Sequence, residues 1–368
     1  MNGYLSSKRS VTQEITTGLF HNLKTKAAIL VQVNEPLKVT ELTIPSLEKG
    51  QVLVDMEWSG ICRSQLMEVQ GHRGADPYLP HLLGHEGAGR VIETGNGVSK
   101  LSKGDRVVVS WLRGKGLKAK GSVFMDGSLQ INSGPIATFS EKAIISENCC
   151  FPIQEDIPSE LASLLGCAIP TGAGIVINEM KPTPNSSISI WGVGGIGLAA
   201  LAGAVITQCH PIVAIDISSE NLQLAKSFGA THTFLANEIN QDVINSLTKN
   251  KGFDFAVEAS GQVGSIEKAF YSVRDRGGLC IFASHPPEHD LISLEPHALI
   301  RGKQIRGSWG GACAPDEDMP KFINLHQQGK LPLQNLISHR FKIEQINEAF
   351  EVLDSGKCGR ILLDLSNN

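Results

Sequence analysis

The clearest chemical signature in the sequence is a run of glycines inside an apolar stretch. The apolar residues Ile188–Trp191 lead into Gly192–Gly197, whose glycines follow the pattern GxGxxG. This pattern is typical of a turn from a strand into a helix that binds a dinucleotide, because the glycines allow a tight turn and close approach to a pyrophosphate. Free N–H groups and the dipole at the helix start favour that anion. The residues predicted to bind the cofactor at this turn are Gly192, Gly194, Gly195, Ile196 and Gly197.

An acidic residue at the end of the next apolar run supports a dinucleotide over the alternative, a glycine-rich packing turn. Asp216 ends the run Ile212–Asp216 and lies 19 residues after Gly197. A carboxylate at that place binds the ribose hydroxyls of NAD. The next residues, 217–219, are Ile-Ser-Ser and include no arginine, so a 2′-phosphate would be repelled without a cationic partner. The sequence therefore predicts NAD rather than NADP.

Cysteine and histidine residues could also hold a metal ion, but their spacing does not nominate a site. Cys62, His85 and Cys167 lie far apart in the chain. A buried cysteine is usually a small core residue, and a lone histidine usually has a structural role. The eight cysteines are scattered and no secretory signal precedes them, which favours free thiols in a reducing compartment. We therefore expect a cytoplasmic protein.

Length and composition exclude several classes of protein. A chain of 368 residues predicts two domains, and 41% hydrophobic residues exclude a disordered protein. The net charge of −4 and an aromatic content of 5% argue against nucleic-acid binding. Residues 1–23 are predicted to form a polar extension.

One segment has the hydropathy of a membrane span. No charged residue lies between Lys181 and Asp216, and Ile188–Ile206 is almost entirely apolar. Its five glycines favour a buried strand, a turn and a packed helix instead. We therefore expect no membrane association.

Hydrophobic periodicity predicts two kinds of architecture along the chain. The N-terminal part is predicted to be an irregular antiparallel domain with strands Lys26–Val33, Val52–Trp58, Gly89–Val98 and Asp105–Ser110. Two helices, Pro158–Leu165 and Thr171–Met180, are predicted next. Strands and helices then alternate, which predicts a parallel sheet. The predicted strands are Ile188–Gly192, Ile212–Asp216, Phe253–Glu258 and Gly278–Phe282. The predicted helices between them are Gly197–Gln208, Ser219–Phe228, capped by Ser218, and Ser265–Val273. The C-terminal segment is mixed, with a helix at Glu344–Leu353.

Four segments together resemble one family over about Lys24 to Leu365. They are GICRS at 60–64, GHEGAG at 84–89, LGCAIPTG at 165–172 and SGKCGR at 355–360, and with the glycine turn they resemble the zinc-dependent medium-chain alcohol dehydrogenases. The resemblance implies an α/β fold in which a GroES-like, mostly β catalytic domain, residues 1–168 and 309–368, carries an inserted Rossmann domain, residues 169–308.

The resemblance also implies a site and an activity. Cys62, His85 and Cys167 would hold a catalytic zinc ion, Glu86 would lie behind the metal, and Ser64 would accept the alcohol proton. Further roles would fall to Arg63 and Arg360 at the pyrophosphate, Thr171 at the nicotinamide, and Trp111, His285 and Trp309 in the substrate pocket. The implied reaction is the NAD-dependent interconversion of an alcohol and its aldehyde or ketone. The implied partners are a small-molecule substrate and further copies of the chain, in a dimer or tetramer.

The sequence departs from the family pattern at three places. No cysteine lies between Cys62 and Cys149, so we expect one catalytic zinc ion per chain and no structural zinc. Gln65 stands where the family usually has aspartate, and Met67 stands where some members have the histidine that releases the proton.

Two alternatives to a simple alcohol dehydrogenase remain open. A basic loop is most often simply solvated, but it also allows an anionic substrate, as for a polyol or sugar-phosphate dehydrogenase. Its residues are Arg113, Lys115, Lys118 and Lys120, with His72 and Arg73 upstream. A non-catalytic sensor that binds NAD and zinc is the alternative of another class.

Overall fold

A computed structural model describes residues 23–366. The predicted polar extension therefore lies, apart from Leu23, outside the described residues. The strands, in chain order, are β1 (Lys24–Leu30), β2 (Lys38–Thr43), β3 (Gln51–Ile61), β4 (His81–Leu82), β5 (Glu86–Thr94), β6 (Arg106–Ser110), β7 (Val123–Asp126), β8 (Leu129–Asn132), β9 (Lys142–Ser146), β10 (Cys150–Pro152), β11 (Ile188–Trp191), β12 (Ile212–Asp216), β13 (His232–Leu235), β14 (Phe255–Glu258), β15 (Leu279–Phe282), β16 (Gln304–Gly307), β17 (Ile337–Lys342) and β18 (Arg360–Asp364). The helices are α1 (Arg63–Val69), α2 (Ser159–Ser163), α3 (Ala168–Gly174), α4 (Gly195–Ile206), α5 (Ser219–Ser227), α6 (Gln241–Thr248), α7 (Val263–Ser272), α8 (Pro296–Ile300), α9 (Pro315–Gln327) and α10 (Ile346–Asp354).

Two β structures are built largely from the N-terminal part of the chain. Strands β1, β2, β7, β8 and β4 close into a small barrel, and β10, β6, β5, β3, β18 and β17 form a larger sheet that β9 joins through β3. Strand β6 has the sequence RVVVS and is buried throughout, because its β-branched side chains pack on both faces. The C-terminal strand β18 pairs with β3, so the end of the chain completes a sheet begun near its start.

The middle of the chain forms a second, wholly parallel sheet. Its strand order is β13-β12-β11-β14-β15-β16, a doubly wound arrangement in which the order reverses between β11 and β14. Strands β11 and β12 are apolar and buried at nearly every position, as expected where helices cover both faces. Ligands of such sheets bind beyond the carboxyl ends of the strands at this reversal.

The predicted alternation of strands and helices matches this sheet closely. The Ser218 hydroxyl accepts from Asn221 N–H at 3.2 Å and caps α5, as predicted. Strand β13, helix α6 and strand β16 were not predicted, because their short polar segments lie at or near the edges of the sheet. The predicted helix Thr171–Met180 is two pieces, the α-helix α3 and a π-helical segment at Ile175–Met180.

The apolar stretch that resembles a membrane span is divided between two buried elements. Strand β11 and the 12-residue helix α4 share it, with the glycine turn between them. Within residues 23–366, no single helix is both long and apolar enough to cross a membrane. One bent pair, residues 159–166 and 168–180, meets the test by length and composition alone.

Candidate active site

Two cysteines and one histidine from three separate segments lie close together at the buried end of a cleft. Cys62 lies between β3 and α1, His85 immediately precedes β5, and Cys167 immediately precedes α3. Their two sulfur atoms and one imidazole nitrogen all lie within 4.8 Å of one another. His85 Nε2 lies 3.3 Å from Cys167 Sγ. The fold thus brings together side chains that lie as far apart in the sequence as Cys62 and Cys167.

The surroundings of this cluster favour a thiolate at Cys62. The thiol of Cys167 donates to Cys62 and lowers its pKa well below the ordinary value; burial opposes this shift, and the positive Arg360 and the nearby His85 reinforce it. The same bond, together with burial, raises the pKa of Cys167. Thiolate sulfur and imidazole nitrogen are ligands that zinc prefers, and three protein ligands leave a fourth position for a substrate oxygen. The donor set therefore fits a catalytic zinc ion.

A buried ion pair lies behind the cluster. Glu86, at the start of β5, is fully buried, and its carboxylate contacts the guanidinium of Arg360, which is 4% exposed. Arg360 also packs against the glycine turn, since a Cβ on Gly195 would lie 3.3 Å from its Cδ. One arginine thus connects the metal-ligand cluster with the predicted cofactor site.

The glycine turn has the geometry that a dinucleotide requires. Gly192 has φ +83°, and a Cβ on Gly197 would lie only 1.9 Å from the Gly192 carbonyl oxygen, so neither position tolerates a side chain. Gly194 precedes α4 and faces open space, with no atom within 4 Å of the place a Cβ would occupy. Asp216 accepts from Val193 N–H at 2.7 Å, which fixes its carboxylate beside the turn. A pyrophosphate fits above this helix end.

The cluster opens into a cleft of about 850 Å³. The predicted site residues that line it are Cys62, Ser64, His85, Trp111, Cys167, Thr171, Ile196, His285 and Trp309. Trp111 and Trp309 form an edge-to-face pair with ring centroids 5.0 Å apart, and Trp309 is 73% exposed at the mouth. Within the described residues, three buried polar atoms beside the cluster have no hydrogen-bond partner: Ser64 Oγ, Trp111 Nε1 and Thr171 Oγ1. Unpartnered polar atoms of this kind point to a ligand.

Comparison with known proteins agrees with this geometry. Residues 48–155 match the family described as alcohol dehydrogenase GroES-like domain, and residues 195–328 match the family described as zinc-binding dehydrogenase. The chain belongs to the zinc-dependent medium-chain alcohol dehydrogenases. It is an oxidoreductase that acts on alcohols, and the predicted GroES-like and Rossmann architecture is confirmed.

Three similar proteins illustrate the relationship. Alcohol dehydrogenase 1 of Pisum sativum is 28% identical over 93% of this chain and 97% of its own length. An alcohol dehydrogenase zinc-binding domain protein from Burkholderia ambifaria has a TM-score of 0.86 at 27% identity, covering 94% of this chain and 100% of that one. Benzyl alcohol dehydrogenase from Acinetobacter calcoaceticus has a TM-score of 0.85 at the same identity and coverage.

In this dehydrogenase Gln65 lies behind the cluster of Cys62, His85 and Cys167. Its side chain is 2% exposed; Oε1 accepts from Cys62 N–H at 3.0 Å, and Nε2 contacts His85 Nδ1. An imidazole that binds a metal through Nε2 carries its proton on Nδ1 and so needs an acceptor there. The Gln65 amide oxygen faces Cys62 and its NH₂ group faces His85, so this side chain presents no acceptor to His85 Nδ1, whereas a carboxylate would present an oxygen to each.

We therefore expect Gln65→Glu to tighten zinc binding, by about tenfold, the lower end of the usual effect of such hydrogen-bonding partners. The measurement is competition for zinc against a chromogenic chelator at pH 7.5. The control is Gln65→Leu, which keeps the side chain buried but accepts no hydrogen bond, and whose zinc affinity should fall. An unchanged affinity in Gln65→Glu would mean that His85 does not need this acceptor.

The segment that follows Trp111 is held by a carboxylate. Glu147 is fully buried; its Oε1 accepts from Ser99 N–H and Lys100 N–H at 2.7 Å each, and its Oε2 accepts from Leu117 N–H at 2.6 Å. Burial alone would raise the pKa of Glu147, but these backbone donors and the positive Lys100 outweigh it and lower the pKa.

Within residues 23–366, Cys62, His85 and Cys167 form the one cluster able to hold a metal. The count of one zinc per chain stays a prediction.

A second carboxylate ties the same segment to α9. Asp316 Oδ2 accepts from Lys115 N–H at 2.6 Å, and its Oδ1 lies 2.7 Å from Lys100 Nζ. Lys100 also lies over the ring of Phe151, 4.2 Å from its centroid. These contacts fix the chain a few residues beyond Trp111, which lines the cleft.

The basic loop does not lie at the cleft. Arg113, Lys115, Lys118 and Lys120 are exposed and are absent from the cleft lining, in which Arg73 is the one arginine or lysine among the described residues. Arg73 is itself paired with Glu68 at 3.4 Å. The solvated-loop interpretation therefore fits better than an anion-binding rim.

The structure also places unpredicted polar residues in the cleft. They are Glu68, Asp76, His81 and Tyr78. One of them could have been found from the sequence, because Glu68 lies four residues after Ser64 and so shares its helix face. Asp76 and Tyr78 lie in an irregular segment before β4, and His81 begins that two-residue strand, so periodicity gives no signal for them.

Proposed function

We propose that this enzyme interconverts an alcohol and its aldehyde or ketone, with zinc held by Cys62, His85 and Cys167 and NAD at the glycine turn. The observation that carries the proposal is a shared cleft: the three ligand side chains open into the same space as Ser64 and Thr171.

Each group has a defined part in this reaction. When bound, zinc polarises the alcohol oxygen and NAD takes up the hydride. Ser64 Oγ receives the hydroxyl proton, which its burial and lack of a partner among the described residues support. Thr171 Oγ1, which is also buried and unpartnered among the described residues, would contact the nicotinamide. Glu86 holds Arg360 in place behind the metal ligands, so that the arginine can reach the pyrophosphate; exposed Arg63 is proposed to assist.

The cofactor is proposed to be NAD. The carboxylate of Asp216 lies where the ribose hydroxyls would bind and is fixed by Val193 N–H and, at 2.9 Å, by Ser218 N–H. A 2′-phosphate would meet this negative charge, and the next side chain, Ile217, offers it no cation.

The substrate is proposed to be a bulky, largely apolar alcohol. Trp111 and Trp309 present an edge-to-face pair to which an aromatic ring can add a further such contact. The similar enzyme from Acinetobacter calcoaceticus is a benzyl alcohol dehydrogenase, which supports the same choice. A sugar phosphate is disfavoured, because the cleft's one described arginine is already paired with Glu68.

The proposal is tested with the purified, zinc-loaded protein and a panel of benzylic alcohols, aliphatic alcohols, polyols and sugar phosphates. We expect NADH absorbance to rise with NAD and a benzylic alcohol, and kcat/KM to be at least about 100-fold lower with NADP, equivalent to about 2.7 kcal/mol. Faster turnover of a sugar phosphate would favour the polyol alternative. Binding of zinc and NADH without turnover of any compound would favour the sensor.

Three further expectations stay predictions. The domain boundaries at residues 168/169 and 308/309 and the cytoplasmic location are two of them. The third is the homo-oligomer: β16 ends the parallel sheet with its outer edge unpaired within the described residues, so a second copy could pair there. Sedimentation equilibrium would measure the oligomeric state.

A further inference from the structure

Oxidation of an alcohol releases a proton inside a buried site, and that proton needs a way out. Ser64 Oγ is buried and has no hydrogen-bond partner among the described residues. Met67, on the next turn of α1, is 8% exposed, and its thioether has no exchangeable proton. The proton must therefore continue from Ser64 through another group.

Glu68 is the carboxylate placed to receive it. Residues four apart on a helix lie on one face, about 5–6 Å between Cβ atoms, so Glu68 stands one turn beyond Ser64 on α1. Both residues line the cleft. The Glu68 side chain is 29% exposed, so it connects the buried end of the cleft with solvent.

Glu68 is surrounded by other charged and titratable side chains at the solvent side of the cleft. Arg73 Nη1 lies 3.4 Å from Glu68 Oε1. His81, the first residue of β4, and Asp76, on the segment before it, form a pair at 2.7 Å, and their side chains are 12% and 17% exposed. Burial raises the pKa of Glu68, and Asp76 adds to that rise, while Arg73, His81 and His85 oppose it. A carboxyl group of raised pKa exchanges protons more readily near neutral pH.

We propose that Glu68 is the proton acceptor beyond Ser64 in the oxidation direction. The inference rests on the proposed alcohol dehydrogenase function. As the carbinol C–H bond breaks and its hydride passes to the nicotinamide, the O–H bond breaks and that proton passes to Ser64 Oγ. The hydrogen of Ser64 passes to the Glu68 carboxylate, directly or through one water molecule, and is then released to solvent at the mouth of the cleft. Reduction runs the same steps in reverse.

The test is the pre-steady-state burst of NADH in Glu68→Gln at saturating benzylic alcohol and NAD, since product release can limit kcat. We expect the burst rate to fall at least about tenfold at pH 7, with zinc content, NADH affinity and alcohol KM unchanged. The part of the burst rate that rises with pH as Glu68 deprotonates should be lost. Small buffer bases at increasing concentration should accept the proton instead, and so restore the rate in Glu68→Gln but leave the unmodified enzyme unaffected.

Two further variants make the result decisive. Glu68→Asp keeps a carboxylate and should retain part of the burst and its pH dependence. Glu48→Gln, an exposed position outside the cleft, should behave as the unmodified enzyme. If the burst of Glu68→Gln matches that of the unmodified enzyme at every pH, the inference about Glu68 is wrong but the proposed function stands. If KM changes and the burst does not, Glu68 takes part in substrate binding instead. Absence of NADH formation by the unmodified enzyme with every alcohol of the panel overturns the proposed function as well.

Discussion

Cys167→Ala should leave a folded protein that binds almost no zinc and is nearly inactive. Cys167 is one of the three proposed zinc ligands, and its sulfur lies 3.3 Å from His85 Nε2. Two remaining ligands do not hold zinc against a chelator. Because zinc, acting as a Lewis acid, lowers the activation free energy by several kcal/mol, we expect kcat/KM to fall about 10³-fold or more when it is lost.

The measurement combines zinc analysis after dialysis with turnover of a benzylic alcohol. The matched control is Cys149→Ala, since Cys149 is also a buried free thiol but lies outside the cluster, and burial raises its pKa to about 11. That variant should keep its zinc and its activity. An active, metal-free Cys167→Ala protein would disprove both the zinc site and the proposed mechanism.

Glu147→Gln should lower the free energy of unfolding by about 2 kcal/mol, and Glu147→Ala by about 4 kcal/mol. In the glutamine variant one oxygen can still accept from Ser99 and Lys100, but an amide NH₂ then faces Leu117 N–H. The alanine variant leaves all three backbone donors unsatisfied in a buried place. Calorimetry at pH 7 measures the loss, with exposed Glu155→Gln as the control, whose surface pair with Arg90 should contribute little.

The pH dependence of this contribution has a defined sign. The folded state lowers the pKa of Glu147 below 4.5, so its stabilisation is complete above that pH and is lost as pH falls through the folded value. The stability gap between the unmodified protein and Glu147→Gln should therefore be constant from pH 7 to about 5 and narrow below about 4.5. A gap that does not change with acid would mean that the Glu147 charge is not what holds the segment.

Sequence patterns predicted the parallel sheet well because its signals are local. A continuous apolar strand, a glycine turn and a serine cap each reflect the backbone around a few residues, and β11, β12 and the cap at Ser218 appear as predicted. Strand β13 is short and half-exposed at the sheet edge, so its four residues carry no clear periodicity.

The site was harder to predict, because its chemistry is assembled by tertiary contacts. Cys62, His85 and Cys167 are uninformative by spacing, and only the family resemblance proposed them as a set. The Glu147 contacts depend on a buried carboxylate meeting three distant N–H groups, for which the sequence offers no pattern. The same is true of the charged residues that face Glu68.

The position of Arg360 has a consequence for how the enzyme binds zinc and the coenzyme. The guanidinium of Arg360 contacts the carboxylate of Glu86 beside the cluster of Cys62, His85 and Cys167, and the same side chain lies next to the glycine turn at Gly195. If binding of zinc shifts this side chain, the shift alters the free energy of coenzyme binding, and the reverse also holds. Thermodynamic reciprocity makes the two effects equal. We therefore expect metal retention and coenzyme affinity in this chain to be linked through Arg360, with each changing the other by the same factor.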